Sequence, residues 1–137
     1  MSTVEENKKL VIATCEALDA RDVAALLECV HDDGSWSIPY RQNMFQFAGF
    51  RKKADFGEMI AGFLSGFTDF SFKIVSMIAE GDRVSIEARS EGTGPGTATY
   101  KNIYHVSFLI QDGKLFEVRE FFDPFEVLAY VQQWPAS

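Results

Sequence analysis

The sequence predicts an α+β domain: one strongly curved antiparallel sheet with the N-terminal helices packed over its concave face. Helical periodicity occupies the first thirty residues, one central segment and the C-terminus, whereas strand-like runs follow one another from residue 69 to residue 122. Asp112-Gly113 separates two runs rich in aromatic and β-branched residues, which indicates a two-residue hairpin. A curved sheet with helices across its mouth is a cone with a pocket inside. The 137 residues form one domain, 1–137.

Two helices are predicted at the N-terminus. Thr3 and Glu6 have the spacing of a capping box, and apolar residues then recur at helical spacing, so the first helix should run from about Val4 to Ala20. Asp22 has the position of an N-cap for a shorter second helix, Val23 to Val30.

The next part of the chain is less regular. The acidic turn 31–34 should end the second helix, and Ser35 to Pro39 should form a short strand. Tyr40 to Lys53 mixes aromatic and polar residues without a clean period, which indicates a loop or irregular strand that closes over something. A third helix is predicted from about Ala54 to Phe67, with an apolar stripe that includes Phe63.

The remaining strands are defined by alternation and turn residues. Gly81-Asp82 is expected to be a turn, residues 92–96 a flexible connection, and Asp123-Pro124 the start of a closing helix. The predicted strands are Asp69 to Glu80, Arg83 to Glu91, Thr99 to Gln111 and Lys114 to Phe122.

Composition excludes several classes of partner. The net charge of −7 argues against nucleic acid and anionic membranes, and no apolar run approaches the ~20 residues of a membrane helix. Cys15 and Cys29 lie in predicted helices without metal-ligand spacing, which favours buried thiols in a reducing compartment. We therefore expect a cytoplasmic protein with no cofactor and no metal. Thirteen Phe residues predict a wide cavity or a partner interface.

A polar cluster is predicted on an otherwise apolar face of the last hairpin. Alternation places Asn102 and Tyr104 on that face of the first strand, and places Glu120 between Val118 and Phe122 on the return strand. Antiparallel pairing should bring the amide and the phenol near the carboxylate. Burial would raise the pKa of Glu120 and suit it to acid/base work, or Glu120 is a core residue that Asn102 or Tyr104 satisfies.

Other candidates surround this cluster. Asp123 stands before Pro124, where it is either a second functional acid or a helix N-cap. Trp36 and Tyr40 are expected to wall the mouth of the cavity, and Phe63 and Phe122 to contact a ligand. His105 lies on the opposite face of its strand, where an interface with a second copy of the chain would place it.

Several modest signals together resemble a known family. They are Ile78 to Val84, Tyr100-x-Asn102-x-Tyr104, Asp112-Gly113-Lys114 and Val118 to Asp123. The pattern resembles the SnoaL-like branch of the nuclear transport factor two and ketosteroid isomerase superfamily. The resemblance implies a cystatin-like cone, a small apolar molecule as ligand, and a homodimer formed through the outer sheet face.

The resemblance also limits the chemistry. The isomerase base falls at Ile38, which cannot take a proton, and the Arg-x-Asp pair of limonene-epoxide-hydrolase-like members falls at Ala88 and Ser90. A cyclase-type carboxylate near the end of the last strand has Glu120 or Asp123 as its match.

Three functional hypotheses follow from this resemblance. The first is a cofactor-independent isomerase, cyclase or hydratase that acts on a polycyclic or terpenoid-like molecule. The second is a binding module for an apolar metabolite without chemistry of its own, and the third is an epoxide-hydrolase-like enzyme.

Overall fold

The computed structural model describes residues 2–135, which form four α-helices, one short 3-10 turn and six strands. The helices are α1 (Val4–Ala20), α2 (Val23–Glu28), α3 (Lys53–Ser65) and α4 (Pro124–Gln132). The strands are β1 (Val30–Ile38), β2 (Gly49–Lys52), β3 (Asp69–Glu80), β4 (Arg83–Thr93), β5 (Thr99–Gln111) and β6 (Lys114–Phe122). Within these residues, none of the helices has the length and apolarity to cross a membrane.

All six strands belong to one sheet with the order β2-β1-β6-β5-β4-β3. Neighbouring strands are antiparallel except β1 and β6, which run parallel. Register shifts interrupt β1, β3 and the β5–β6 pair. Because such irregularities bend strands and increase twist, they help to curve the sheet. The sheet remains open, with β2 and β3 as its edges, and the predicted α+β cone is confirmed.

Helix α1 lies against the β3 side of the sheet. Its capping box is present, with Thr3 and Glu6 each bonding to the other's backbone. Asn7 Nδ2 donates to the Gly81 carbonyl at 3.2 Å, and Asp19 Oδ1 accepts from the Phe72 amide at 2.8 Å. These bonds join both ends of the helix to the β3–β4 hairpin and the start of β3.

The last hairpin follows the predicted bounds. Asp112 and Gly113 have φ values of 55° and 71°, the left-handed values that a type I′ turn needs at both positions. The concave face of β5 is buried at every second residue, as alternation predicts. These residues are Tyr100, Asn102, Tyr104, Val106, Phe108 and Ile110.

The first strand is longer than the sequence indicates. Helix α2 ends at Glu28 and β1 begins at Val30, which pairs with Leu115 of β6, so the prediction of a strand from Ser35 was wrong in its start. The acidic turn signal marks an irregularity inside the strand rather than its end. Gly34 is required there, because a Cβ would lie 2.8 Å from the Leu115 carbonyl oxygen and 2.9 Å from that of His31.

Two connections also differ from expectation. The segment after Ile38 contains turns and then the edge strand β2, which leads directly into α3 at Lys53. The stretch predicted to be flexible, 92–96, is tied down: β4 continues to Thr93, and the Gly94 amide donates to the Ala98 carbonyl at 2.7 Å. Gly94 also lies so close to the Tyr130 hydroxyl that no side chain would fit.

Candidate functional site

The concave face of the sheet and helices α1, α3 and α4 enclose a cavity of about 380 Å³. Its wall is mostly apolar and rich in aromatic residues, and Glu120, Tyr100 and Tyr104 bring polar groups into the interior. Glu58 and Trp134 lie on exposed parts of the wall, at the mouth. The aromatic lining residues are Trp36, Phe45, Phe47, Phe63, Phe70, Phe72, Tyr100, Tyr104, Phe108, Phe122 and Trp134.

Glu120 is the carboxylate inside this cavity. It lies on the concave face of β6, opposite Val106 of β5, and is half-buried. Trp36 Nε1 donates to Glu120 Oε1 at 3.1 Å, and the Trp36 ring is stacked on Phe56 with centroids 4.1 Å apart. The second oxygen, Oε2, has no hydrogen-bond partner among residues 2–135. One oxygen is therefore fixed and the other is free for a ligand.

The surroundings of Glu120 change its acidity. Burial raises the pKa of Glu120 from an ordinary value of 4.5 to about 7. The hydrogen bond from Trp36 and the positive charge of Arg51 act in the opposite direction and lower the pKa. Near neutral pH the carboxyl group therefore exists in both protonation states, as a general acid/base requires.

Three hydroxyl groups form a chain beside the cavity. The Tyr104 hydroxyl lies 2.8 Å from Ser90 Oγ and 2.8 Å from the Tyr100 hydroxyl, and Asn102 Nδ2 donates to the Tyr100 oxygen at 2.9 Å. Burial raises the pKa of Tyr100 and that of Tyr104 well above the usual phenol value, so both remain neutral donors. If Ser90 donates to Tyr104 and Tyr104 to Tyr100, the Tyr100 proton is left to donate to a ligand.

Asn102 supports this chain from outside the lining of the cavity. Its Oδ1 accepts from the Asp123 amide at 3.1 Å, and its Nδ2 donates to the Asp123 carbonyl at 3.0 Å. Asn102 makes this contact rather than one with Glu120, because the register pairs Tyr104 with Phe122 and so places Asn102 beyond the end of β6. Glu120 receives its hydrogen bond from Trp36 instead.

The remaining predicted residues separate into two groups. Trp36, Phe63 and Phe122 line the cavity with Glu120 and Tyr104. Asp123 caps α4, since its Oδ1 accepts from the Phe125 amide at 2.9 Å, and it lies outside the lining. Tyr40 also lies outside it, where its hydroxyl donates to the Phe122 carbonyl at 2.6 Å and holds the end of β6.

Four contributors to the site were not among the predicted site residues. Tyr100 shares a face with Asn102 and Tyr104, so alternation had already placed it there. Arg51 and Phe45 come from the irregular segment 40–53, which was predicted to close over something, but its lack of a period gave no way to tell which of its side chains face the cavity. The thiol of Cys15 also lines the cavity, and burial raises its pKa to about 12, so it is an inert part of the wall at neutral pH.

Fold and site together define a cone-shaped α+β domain that surrounds an apolar cavity with one half-buried carboxyl group. The model of the SnoaL-like domain matches residues 11–118, and the chain belongs to this family.

One curated relative is UPF0523 protein C of Dictyostelium discoideum, 29% identical over 103 residues, which are 72% of this chain. The chain spans 65% of the length of that relative.

Solved structures share the fold. TerC, co-crystallised with polyporic acid, superimposes with a TM-score of 0.80 at 21% identity, covering 93% of this chain and 99% of TerC. IdmH of Streptomyces antibioticus, described as a proposed polyketide cyclase, gives a TM-score of 0.75 at 16% identity, covering 92% of this chain and 98% of IdmH. At these identities the likeness establishes the fold alone.

Proposed function

We propose that the chain binds a small apolar molecule in the cavity and that Glu120 acts on it as a general acid/base. The observation that carries this proposal is the state of Glu120: a half-buried carboxyl group in an apolar cavity, with Oε1 held by Trp36 and Oε2 free. A pKa of about 7 lets it take and return a proton near neutral pH.

The chemistry that fits is proton transfer without oxidation or reduction. Glu120 Oε2 takes a proton from carbon next to a substrate carbonyl, and the C–H electron pair moves through the carbon–carbon bond to the carbonyl oxygen. The neutral hydroxyl of Tyr100 or Tyr104 donates to the oxygen as its charge develops. In an isomerisation, the enolate is conjugated with a carbon–carbon double bond of the substrate. Glu120 then returns the proton to the far carbon of that double bond, whose electron pair forms the new C–H bond while the carbonyl group re-forms. Isomerases, cyclases and hydratases share this first step.

The cavity also limits the substrate. Its volume of about 380 Å³ is near the lower end of the ~300–1,000 Å³ range of ligand pockets. Aromatic walls favour flat or cyclic apolar molecules, which bury their faces against the rings. The presence of polyporic acid with TerC and the description of IdmH support a polycyclic or polyketide-like substrate.

A binding module without chemistry is the second candidate. It is favoured by the absence of another carboxyl group in the cavity interior, as far as residues 2–135 show, because Asp123 serves as a cap. The positions of the hydrolase Arg-x-Asp pair are occupied by Ala88 and Ser90, which carry no charge and are both buried. This composition weighs against the epoxide-hydrolase hypothesis.

The test compares wild type, Glu120→Gln and Glu117→Gln, the last a matched control on the other face of β6. Each is screened against terpenoids, steroids and polyketide-like aromatics by thermal shift, followed by product analysis. We expect ligands to stabilise all three proteins and Glu120→Gln to lose turnover by about 100-fold or more. Binding with no turnover in the wild type would leave the binding module, and equal turnover in all three would exclude Glu120 as the catalytic group.

We also propose that a second copy of the chain covers the outer face of the sheet. Ile103 of β5 and Phe121 of β6 are exposed near one another there, and Ile78 of β3 is exposed on the same sheet. Light scattering should give twice the chain mass for wild type and for the control Phe125→Glu on α4. Ile103→Glu should give the monomer mass; a monomeric wild type at ~100 μM would refute the dimer.

A further inference from the structure

Arg51 lies on the concave face of the edge strand β2, in line with the site. The β1–β2 register pairs it with Trp36, and the β1–β6 register pairs Trp36 with Val118. Paired residues of neighbouring strands point to the same face of a sheet, and Glu120 is two residues beyond Val118. The three side chains of Arg51, Trp36 and Glu120 therefore share one surface, with Trp36 in the middle row.

The guanidinium group of Arg51 has a buried hydrogen-bond donor that is not satisfied. Its Nη1 atom is shielded from solvent and has no hydrogen-bond partner, and no carboxylate among residues 2–135 lies within ion-pair distance of Arg51. A buried donor without a partner is costly, so its retention needs a compensating interaction. The compensation available on this face is the negative charge that Glu120 carries when it is ionised.

We infer that Arg51 is a positioning residue that acts through Glu120: its positive charge, held across Trp36, stabilises the carboxylate form and makes the base available inside an apolar cavity. The inference rests on the proposed function of Glu120. Because Trp36 occupies Oε1 and Arg51 does not bind the carboxyl group directly, Oε2 stays open to the substrate. A direct salt bridge would occupy that oxygen.

The other titratable groups near Glu120 cannot replace this charge. Tyr100 and Tyr104 of β5 and Tyr40, which follows β1, interact electrostatically with Glu120, but all three phenols are neutral because their pKa values are raised. Glu58, at the cavity mouth on α3, is an acid. In the part of the chain that the structure describes, Arg51 is the cation whose charge lowers the pKa of Glu120.

The test is an NMR titration of the ¹³C-labelled Glu120 carboxyl group without substrate, in wild type, Arg51→Gln, Arg51→Lys and Arg119→Gln. Arg119 is the control, since it is exposed on the outer face of the same strand as Glu120. We expect Arg51→Gln to move the midpoint upward by roughly one pH unit or more. Arg51→Lys, which keeps the charge, and Arg119→Gln should titrate close to wild type.

An unchanged midpoint in Arg51→Gln, or an equal shift in Arg51→Lys, would overturn the inference. If Arg51→Gln does not fold, the Arg51 Nε–H resonance of the wild type replaces it: we expect this resonance to move with the Glu120 midpoint, and a resonance that ignores that midpoint refutes the coupling. Because no substrate is present, a negative result here leaves the proposed activity of Glu120 intact, and a lack of turnover leaves the titration result intact.

Discussion

Between pH 5 and pH 8 the wild type is expected to lose folding stability as the pH rises, and Glu120→Gln is expected to remove most of this loss. In the unfolded chain the carboxyl group ionises around 4.5, whereas in the folded protein it ionises around 7. Between these values the folded state binds more protons, so the free energy of unfolding falls as pH rises. This loss in the free energy of unfolding is absent below about pH 4.5 and reaches about 3 kcal/mol above pH 7, since one pKa unit corresponds to about 1.4 kcal/mol.

Urea denaturation at several pH values, followed by circular dichroism, measures this effect. The informative quantity is the difference between wild type and Glu120→Gln at each pH, because the other titrating groups cancel in it. Glu117→Gln, on the opposite face of β6, should retain the wild-type dependence. If the difference in stability between wild type and Glu120→Gln does not change with pH, Glu120 is not the group with the raised pKa.

The elements predicted well from sequence are those fixed by local chemistry. Helix α1 has both a capping box and a steady helical period, and the bounds of β3, β5 and β6 follow from alternation and their turns. The Asp112-Gly113 turn needs left-handed backbone at both positions, which these residue types tolerate. Because this turn fixes the pairing of β5 with β6, alternation along the two strands correctly placed Glu120, Tyr104 and Phe122 on the cavity side.

The elements predicted poorly depend on contacts between distant parts of the chain. The start of β1 is a strand because Val30 pairs with Leu115, 85 positions away, and no nearby residue signals that pairing. The parallel contact of β1 with β6 also brings Trp36 to Glu120. The predicted partners of Glu120, Asn102 and Tyr104, lie in its own hairpin, because the Asp112-Gly113 turn predicts the pairing of β5 with β6 and nothing in the sequence predicts the pairing of β1 with β6.

This difference also explains the roles of the polar residues. Asn102 and Asp123 were predicted as site residues because their types suit chemistry, yet their hydrogen bonds fix backbone at the end of β6. Arg51 stands in a basic cluster, 51–53, and such a cluster is typical of an exposed loop, so residue type alone gives no reason to place Arg51 beside the site. Register to within one residue decides such cases, since a shift of one turns a side chain to the other face.

Trp36→Ala is expected to cost about 3–5 kcal/mol of folding stability, the range for removal of a large buried aromatic residue. The ring is 4% exposed, is stacked on Phe56 of α3, and donates the hydrogen bond to Glu120, so one side chain joins β1, a helix and the site. Urea denaturation monitored at 222 nm measures the loss.

Trp36→Phe separates packing from hydrogen bonding in the same experiment. It keeps a ring for Phe56 to contact but removes the indole N–H. Because the hydrogen bond from this N–H lowers the pKa of Glu120, its loss should raise that pKa. We therefore expect a smaller loss of stability than in Trp36→Ala, together with a higher Glu120 midpoint. Trp134→Ala, at an exposed tryptophan on the cavity mouth, is the control and should cost about 1 kcal/mol or less. Equal losses in Trp36→Ala and Trp134→Ala would show that Trp36 is not the link between the core and the acid.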